Sequence, residues 1–242
     1  MHWRKRSQAE IFDSFGWWDK GCFLRQMTDD RCDYIQTCLE QAMGNGALQQ
    51  HQILEVGCGG GLICEELARR GASMLGVDPS QAALQTARAH LAQNSDLAQR
   101  ITYEQGYAEA LPYDSGRFQT VVCLDVLEHV KDLPATIAEI ARVLAPGGVF
   151  VFDTINRTLL ARLVLIWYGE HFPSGGLVPG LHDYHAFIKP AELRCVLESN
   201  NFQVQQLTGF MPRGFKHGRF RMGPGWFKEI AYVGYASKSA FS

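Results

Sequence analysis

What the chain lacks narrows its function before any motif is read. Its 242 residues include seven cysteines but no C-x-x-C pair, so neither a disulfide framework nor a cysteine-rich zinc site is indicated. Cys22, Cys32, Cys38, Cys58, Cys64, Cys123 and Cys195 read as reduced thiols, with Cys58, Cys64 and Cys123 in expected core stretches. A cytoplasmic setting is the expectation. Neither charge sign dominates: 23 Lys and Arg against 25 Asp and Glu give a net charge of -2. That argues against a nucleic-acid partner held by overall charge. No apolar run approaches the roughly 20 residues of a membrane span. The basic stretch Met1–Arg6 is not followed by an apolar segment, so a secretory leader is not expected. There is no internal repeat and no low-complexity tract. What is left is a globular composition, 46% hydrophobic and 20% charged, with enough chain for one domain over 1–242.

The chain is organised around Ile53-Leu54-Glu55-Val56-Gly57-Cys58-Gly59-Gly60-Gly61. An apolar strand runs into a turn of glycines, and Leu62 to Arg70 follows with helical spacing before Gly71. Strand, glycine turn and helix open a nucleotide-binding βαβ unit, in which bare backbone and a helix N-terminus face the ligand. The spacing selects the ligand. A dinucleotide fingerprint wants its third glycine at position 62, which is Leu62, and a P-loop wants a lysine that is absent. Glu55, two residues before the first glycine, suits a positive group such as the amine of an amino acid. The next strand, Ser73–Val77, ends in Asp78, placed to accept both hydroxyls of a ribose. A ligand with a ribose, an amino-acid end and no pyrophosphate is implied. The stretch resembles the S-adenosylmethionine site of class I methyltransferases. The cofactor is thereby expected against Glu55, Gly57, Cys58, Gly59, Asp78 and Pro79.

Residues 1–50 read as an N-terminal helical cap: a short helix at Ala9–Phe15, an aromatic stretch Phe15-Gly16-Trp17-Trp18-Asp19, and a helix over Arg31–Met43. The aromatic rings either pack on the core or form a lid. Arg31 either is solvated or reaches the carboxylate of the ligand. Further strands are expected at Ile101–Gln105, Phe118–Leu124 and Val149–Thr154, with helices at Ser80–Leu91 and Pro134–Leu144. Five strands with four intervening helices, closed by strands at Gln203–Thr208 and Glu229–Ala236, predict an α/β, Rossmann-like, seven-stranded, mostly parallel sheet with helices on both faces. The loop Gly106–Tyr113 lies at a strand end. Tyr107 stands where many methyltransferases carry an Asp for the adenine amine, so that contact is left to backbone and neighbours, with Ala108 and Glu109 as candidates. Residues 157–190 read as an insertion or lid after strand five, including the flexible stretch Gly175-Gly176 through Gly180. Its segment 158–168 is apolar nearly all round, either buried or interfacial on a membrane. The loop Arg213–Lys228 carries Arg213, Lys216, His217, Arg219, Arg221 and Lys228, either solvated or against acidic lipid headgroups.

The candidate chemistry lies past strand four, in Leu124-Asp125-Val126-Leu127-Glu128-His129-Val130. Strand ends of an open parallel sheet face the ligand crevice. One helical turn would bring Asp125 near Glu128 and His129. Two carboxylates and an imidazole can hold a divalent ion such as Mg2+. His129, with Glu128, can instead remove the proton of a phenol hydroxyl. A third reading is a helix start with Asp125 as N-cap and Glu128 three residues on.

Taken together, W-W-D with a nearby G-x-F, L-E-V-G-C-G-G-G, L-D-V-L-E-H-V, the run from His182 to Leu193 (H-D-x-x-x-F-I-K-P-A-E-L), T-G-F-M-P and M-G-P-G resemble the ubiquinone-biosynthesis O-methyltransferases over about Phe15–Tyr235. Those enzymes act on demethylubiquinol and polyprenyl dihydroxybenzoate. The resemblance implies Arg31, Gly57, Asp78 and Leu124 as cofactor positions, and Asp125, Glu128 and His129 as the metal set. Asp125 replaces the family's glutamate with a shorter reach. The resemblance also implies a phenolic or catechol small-molecule substrate with a lipid tail, and a peripheral membrane contact through 158–168. A methyltransferase of secondary metabolism on a soluble substrate, or a non-catalytic subunit that keeps the cofactor fold to bind a partner, are the alternatives.

Overall fold

The computed structural model describes residues 8–172, 177–216 and 219–240. Met1–Arg6, Gly175-Gly176 and His217 lie outside the described residues. Strands Gln52–Val56 (β1), Ser73–Asp78 (β2), Ile101–Gln105 (β3), Phe118–Cys123 (β4) and Leu144–Ile155 (β5) pair in parallel. Phe202–Lys216 (β6), Arg219–Gly225 (β7) and Ala231–Lys238 (β8) add antiparallel strands at one side. The order is β3-β2-β1-β4-β5-β8-β6-β7. Strand order reverses between β1 and β4, and the crevice at such a point takes the ligand.

Alternation along the strands builds the two layers. Ile53, Met74, Val122, Val149 and Val151 face one cluster, while Leu54, Leu75, Val121, Phe150 and Phe152 face the other. The first cluster is covered by helices Phe23–Met43 (α2), Leu62–Arg69 (α4) and Gln81–Leu91 (α5). The second is covered by Leu133–Val143 (α7) and Pro190–Ser199 (α9). Each fully buried Leu, Ile or Phe contributes about 1.5–3 kcal/mol. The helices α1 (Gln8–Asp13), α3 (Ala47–Gln50), α6 (Ser95–Ala98) and α8 (Leu159–Ala161) are short. The expected helices on both faces and the α/β class are present, and α4, α5, α6 and α7 lie between β1 and β5.

Two expectations are corrected, and at two further places the structure bears on alternatives left open. The sheet has eight strands rather than seven, because the basic loop after Thr208 is a hairpin: β6 continues to Lys216 and returns as β7. The basic residues from Arg213 to Lys228 read as a loop joining two strands. Pro224 is tolerated because β7 is an edge strand. Asp30 on α2 anchors the hairpin, accepting from the Arg221 guanidinium and from Met222 N–H at 2.7 Å.

Second, α2 starts at Phe23, eight residues before the expected Arg31, so Arg31 lies inside a helix. Third, no helix starts at Asp125. Asp125 has φ 53°, residues 127–129 form a turn, and α7 is capped by Asp132, which accepts from Ala135 N–H. Fourth, the 158–168 segment is buried on one side only: Ala161 is buried and Leu165 and Ile166 pack against Ile155 and Phe187, while the opposite side is exposed. After α8 the helix widens to a π-helix over Arg162–Gly169, with Leu159 at 69% and Trp167 at 57% exposure, and Leu163 and Tyr168 also exposed. Among the described residues no helix is long and apolar enough to cross a membrane.

Candidate functional site

One cavity of about 810 Å³ opens at the β1/β4 switch point. Of the expected cofactor residues, Arg31, Glu55, Gly57, Cys58, Asp78, Pro79, Ala108, Glu109 and Leu124 line it, and so do Asp125 and His129. Gly59 does not line it but is tied to it: its N–H donates to Asp78 Oδ2 at 2.9 Å. Glu128 is not on the wall.

The glycine turn is shaped by the protein as much as by any ligand. Gly57 has φ 76°, and a Cβ there would come within 2.2 Å of Val126 Cγ2. A Cβ on Gly60 would meet Trp17 Cγ at 2.3 Å. The Trp17 ring thus lies directly on the turn, and Trp18 Nε1–H donates to Gly60 O at 2.9 Å while its ring stacks on His90. The rings of the aromatic cap pack together with Leu62 and Ala83, and Phe12 and Trp17 line the cavity.

Asp78, at the tip of β2, accepts Gly59 N–H on one oxygen and Ser80 N–H at 2.8 Å on the other. Two anchored oxygens leave outward lone pairs for a pair of hydroxyls. Burial raises its pKa. Glu55 is buried, and its Oε2 has no partner among the described residues. Burial pushes its carboxyl up to about 8. A buried acid at the end of β1, hydrogen-bonded to Cys64 but with one oxygen unpartnered among the described residues, fits an ammonium group, which would supply a partner for that oxygen and a compensating charge. The donor set therefore suits a nucleoside carrying an amino-acid end.

Arg31 enters from α2 and bridges two acids, with NH1 2.6 Å from Asp125 Oδ2 and NH2 3.2 Å from Asp153 Oδ2. Its Nε is buried with no hydrogen-bond partner among the described residues. Asp153, on β5, also accepts Asp125 N–H at 2.6 Å, which holds Asp125 in its left-handed conformation. Burial raises the Asp153 pKa. Sequence reasoning missed Asp153 and its neighbour Thr154. The available signal was an acid and a hydroxyl closing an otherwise apolar strand.

Glu128 is 3% exposed and accepts from Thr154 Oγ1 at 2.8 Å, and its other oxygen has no hydrogen-bond partner among the described residues. Burial, then Asp125, pushes its carboxyl up to about 7. The expected metal set Asp125, Glu128 and His129 is not assembled: among the described residues no three His, Cys, Asp or Glu side chains are placed to hold an ion. The physical reason is that the Arg31 guanidinium already takes up the Asp125 carboxylate. As placed, these residues do not fit a divalent ion. His129 stands on the cavity wall, its ring centroid 5.2 Å from that of Phe12 with planes 77° apart and 5.8 Å from that of His182 with planes 24° apart. Burial, then His182, lowers its pKa to about 4, so it is a neutral imidazole at neutral pH. Tyr107 lines the cavity but is largely exposed.

Comparison with known proteins gives the family. The methyltransferase domain family matches residues 54–152. The ubiquinone biosynthesis O-methyltransferase of Alkalilimnicola ehrlichii is 40% identical over 73% of this chain and 69% of its own length. That of Azorhizobium caulinodans is 33% identical over 85% of this chain and 83% of its own. Among solved structures, the magnesium protoporphyrin IX methyltransferase of Synechocystis PCC 6803, with bound S-adenosylhomocysteine, superposes with a TM-score of 0.62 at 20% identity, over 96% of this chain and 93% of that one. This last likeness speaks for the fold alone.

Proposed function

The chain belongs to the ubiquinone biosynthesis O-methyltransferases, which are S-adenosylmethionine-dependent enzymes, and from that premise we propose how its residues divide the work. The substrate is a small molecule with a phenolic or catechol hydroxyl, a quinone precursor with a lipid tail. The observation that carries the reading is the single cavity joining the glycine turn, Asp78 and His129. Asp78 takes the ribose hydroxyls of S-adenosylmethionine, Glu55 its ammonium and Arg31 its carboxylate. Ala108, Glu109 and Leu124 enclose the base. The cofactor supplies a methyl group on a sulfonium, an electrophile that needs no further activation.

His129 accepts the proton of the attacking hydroxyl. Its neutral form at physiological pH suits a proton acceptor, and the nearby Asp125 favours the imidazolium once it forms. Glu128 does not reach the cavity wall. It acts by bracing the turn through Thr154. Phe12 and Trp17 exclude water from above the glycine turn. Positioning and loss of the hydroxyl proton account for most of the rate. The exposed leucines and aromatic rings of 159–172, flanked by Arg157 and Arg162, suit a membrane surface on which a lipid-tailed substrate is met.

The test is methyl transfer from labelled S-adenosylmethionine to matched catechols with and without a prenyl tail. Transfer to the oxygen, with the prenylated substrate preferred, is the expected result. Equal activity on a soluble short-chain catechol would move the substrate to the soluble phenols. No transfer to any catechol would remove the assignment.

A further inference from the structure

Trp17 and Trp18 are neighbours in the chain but differ in how their indole N–H groups are satisfied. Trp18 is half-buried, its Nε1–H donates to Gly60 O at 2.9 Å, and its ring stacks on His90 with centroids 3.3 Å apart. Trp17 is the more buried of the two, at 9% exposure, yet its Nε1–H has no hydrogen-bond partner among the described residues. An indole nitrogen can only donate, and when buried it normally finds an acceptor, because leaving it dry costs free energy. The unpaired donor belongs to a ring that lines the cavity. Phe12 stacks on that ring with planes 17° apart, and the Phe15 centroid lies 4.7 Å away. The cap is fastened on both sides of the ring. Trp18 ties it to the glycine turn, and Ser80 Oγ–H donates to Asp13 Oδ1 at 2.6 Å, just past Asp78. A Cβ at Gly60 would meet the five-membered end of the Trp17 indole, and a Cβ at Gly59 its six-membered end. The indole therefore spans from Gly60 to Gly59, the residue whose N–H donates to Asp78.

We propose that Trp17 is a cofactor-binding residue, its Nε1–H donating to a ribose hydroxyl oxygen of the bound nucleoside. The proposal rests on the reading of Asp78 as the ribose acceptor. A hydroxyl both donates and accepts, whereas a carboxylate offers acceptors only. Asp78 thus takes the hydroxyl protons and leaves the hydroxyl oxygens in need of a donor. The amino-acid end has its own partners in Glu55 and Arg31. The sugar lacks a donor and Trp17 lacks an acceptor, and both belong beside Gly59 and Asp78. The aromatic cap then completes the cofactor site, in addition to packing over it.

The tests use the full chain with S-adenosylhomocysteine as ligand. In wild-type protein the Trp17 indole N–H resonance, assigned by Overhauser contacts to Gly59 and Gly60, should move downfield and exchange more slowly with solvent when the ligand binds. Binding with that resonance unmoved would overturn the proposal without any variant. No binding at all would remove the cofactor reading itself, and this contact with it. Trp17→Phe keeps an aromatic ring but removes the donor. By calorimetry it should raise the Kd of S-adenosylhomocysteine about threefold to tenfold, the worth of one hydrogen bond. Methylthioadenosine, which keeps the ribose but has no amino-acid end, should show the same penalty. Deoxy analogues of S-adenosylhomocysteine, each lacking one ribose hydroxyl, complete the cycle. For the analogue without the accepting oxygen, wild type and variant should agree within about twofold. A penalty of equal size on every ligand would mean lost packing alone and would overturn the proposal. A penalty confined to ligands with an amino-acid end would put the acceptor on the carboxylate and overturn it as well.

Discussion

The cofactor side of the cavity and its substrate side are built in opposite ways. On the cofactor side, Glu55, Gly57, Gly59 and Asp78 come from one βαβ unit, and backbone groups fix them: Gly59 N–H and Ser80 N–H both donate to Asp78. On the substrate side, Phe12, Asp125, His129, Asp153 and His182 come from four separate segments, and side chains hold one another through the ion pairs of Arg31 to Asp125 and Asp153 and through the ring contacts of His129. A site made by local backbone geometry accepts one ligand shape and tolerates little change. A site made by distant side chains can be retuned one residue at a time, which suits the part of an enzyme that chooses its substrate.

The comparison is sharpest where a variant should damage one side and spare the other. The largest effect is expected at His129. His129→Asn should lower kcat by about 10²–10⁴-fold while calorimetry finds the affinity for S-adenosylmethionine unchanged. A parallel loss of affinity would mean that the two sides are not separable. Next is Gly57→Ala, which places a Cβ 2.2 Å from Val126 in a left-handed backbone. Conformational strain of about 1–2 kcal/mol plus the clash should weaken cofactor binding roughly 10- to 100-fold. Adding Val126→Ala should restore part of it. No recovery would mean that the contact with Val126 does not shape the turn.

Smaller, but specific to the cofactor side, is a proton. Burial holds Glu55 at about 8, so without ligand it is mostly protonated at pH 7. An ammonium placed beside it lowers that pKa, so binding at pH 7 should release a proton, read from the dependence of the calorimetric enthalpy on buffer. Glu55→Gln should abolish the release, and a wild type that releases none would put the ammonium elsewhere. The same raised folded-state pKa means that the contribution of Glu55 to stability is present below its unfolded pKa and fades as pH rises through about 8. The smallest effect on chemistry is expected at Leu163→Asp. It should leave turnover of a soluble catechol unchanged and reduce the liposome-bound fraction in flotation. A wild type that never floats with liposomes would remove the membrane contact.

The same contrast explains what the sequence made legible. The glycine turn, Asp78 and the parallel strands were readable because each rests on neighbours in sequence: alternation, a glycine pattern, an acid at a strand tip. The substrate side was readable only as candidates. Asp125 read as a metal ligand or a cap, because nothing in sequence reveals that Arg31, in the middle of a helix that begins earlier than its periodicity suggested, would claim its carboxylate. The buried option for 158–168 holds for one side only, because a run apolar all round does not say which element covers it, and here its outer face is uncovered. The basic stretch after Thr208 reads as a loop, and nothing in its glycines and prolines, which mark turns in most contexts, announces the edge strand that it forms.

The account is tested most directly by a crystal structure of the full chain grown with S-adenosylhomocysteine. It should show both ribose hydroxyls within hydrogen-bond distance of the Asp78 carboxylate and the amino-acid end beside Glu55 and Arg31. A nucleoside bound with its sugar away from Asp78, or a glycine turn closed by Trp17 with the nucleoside excluded, would contradict it.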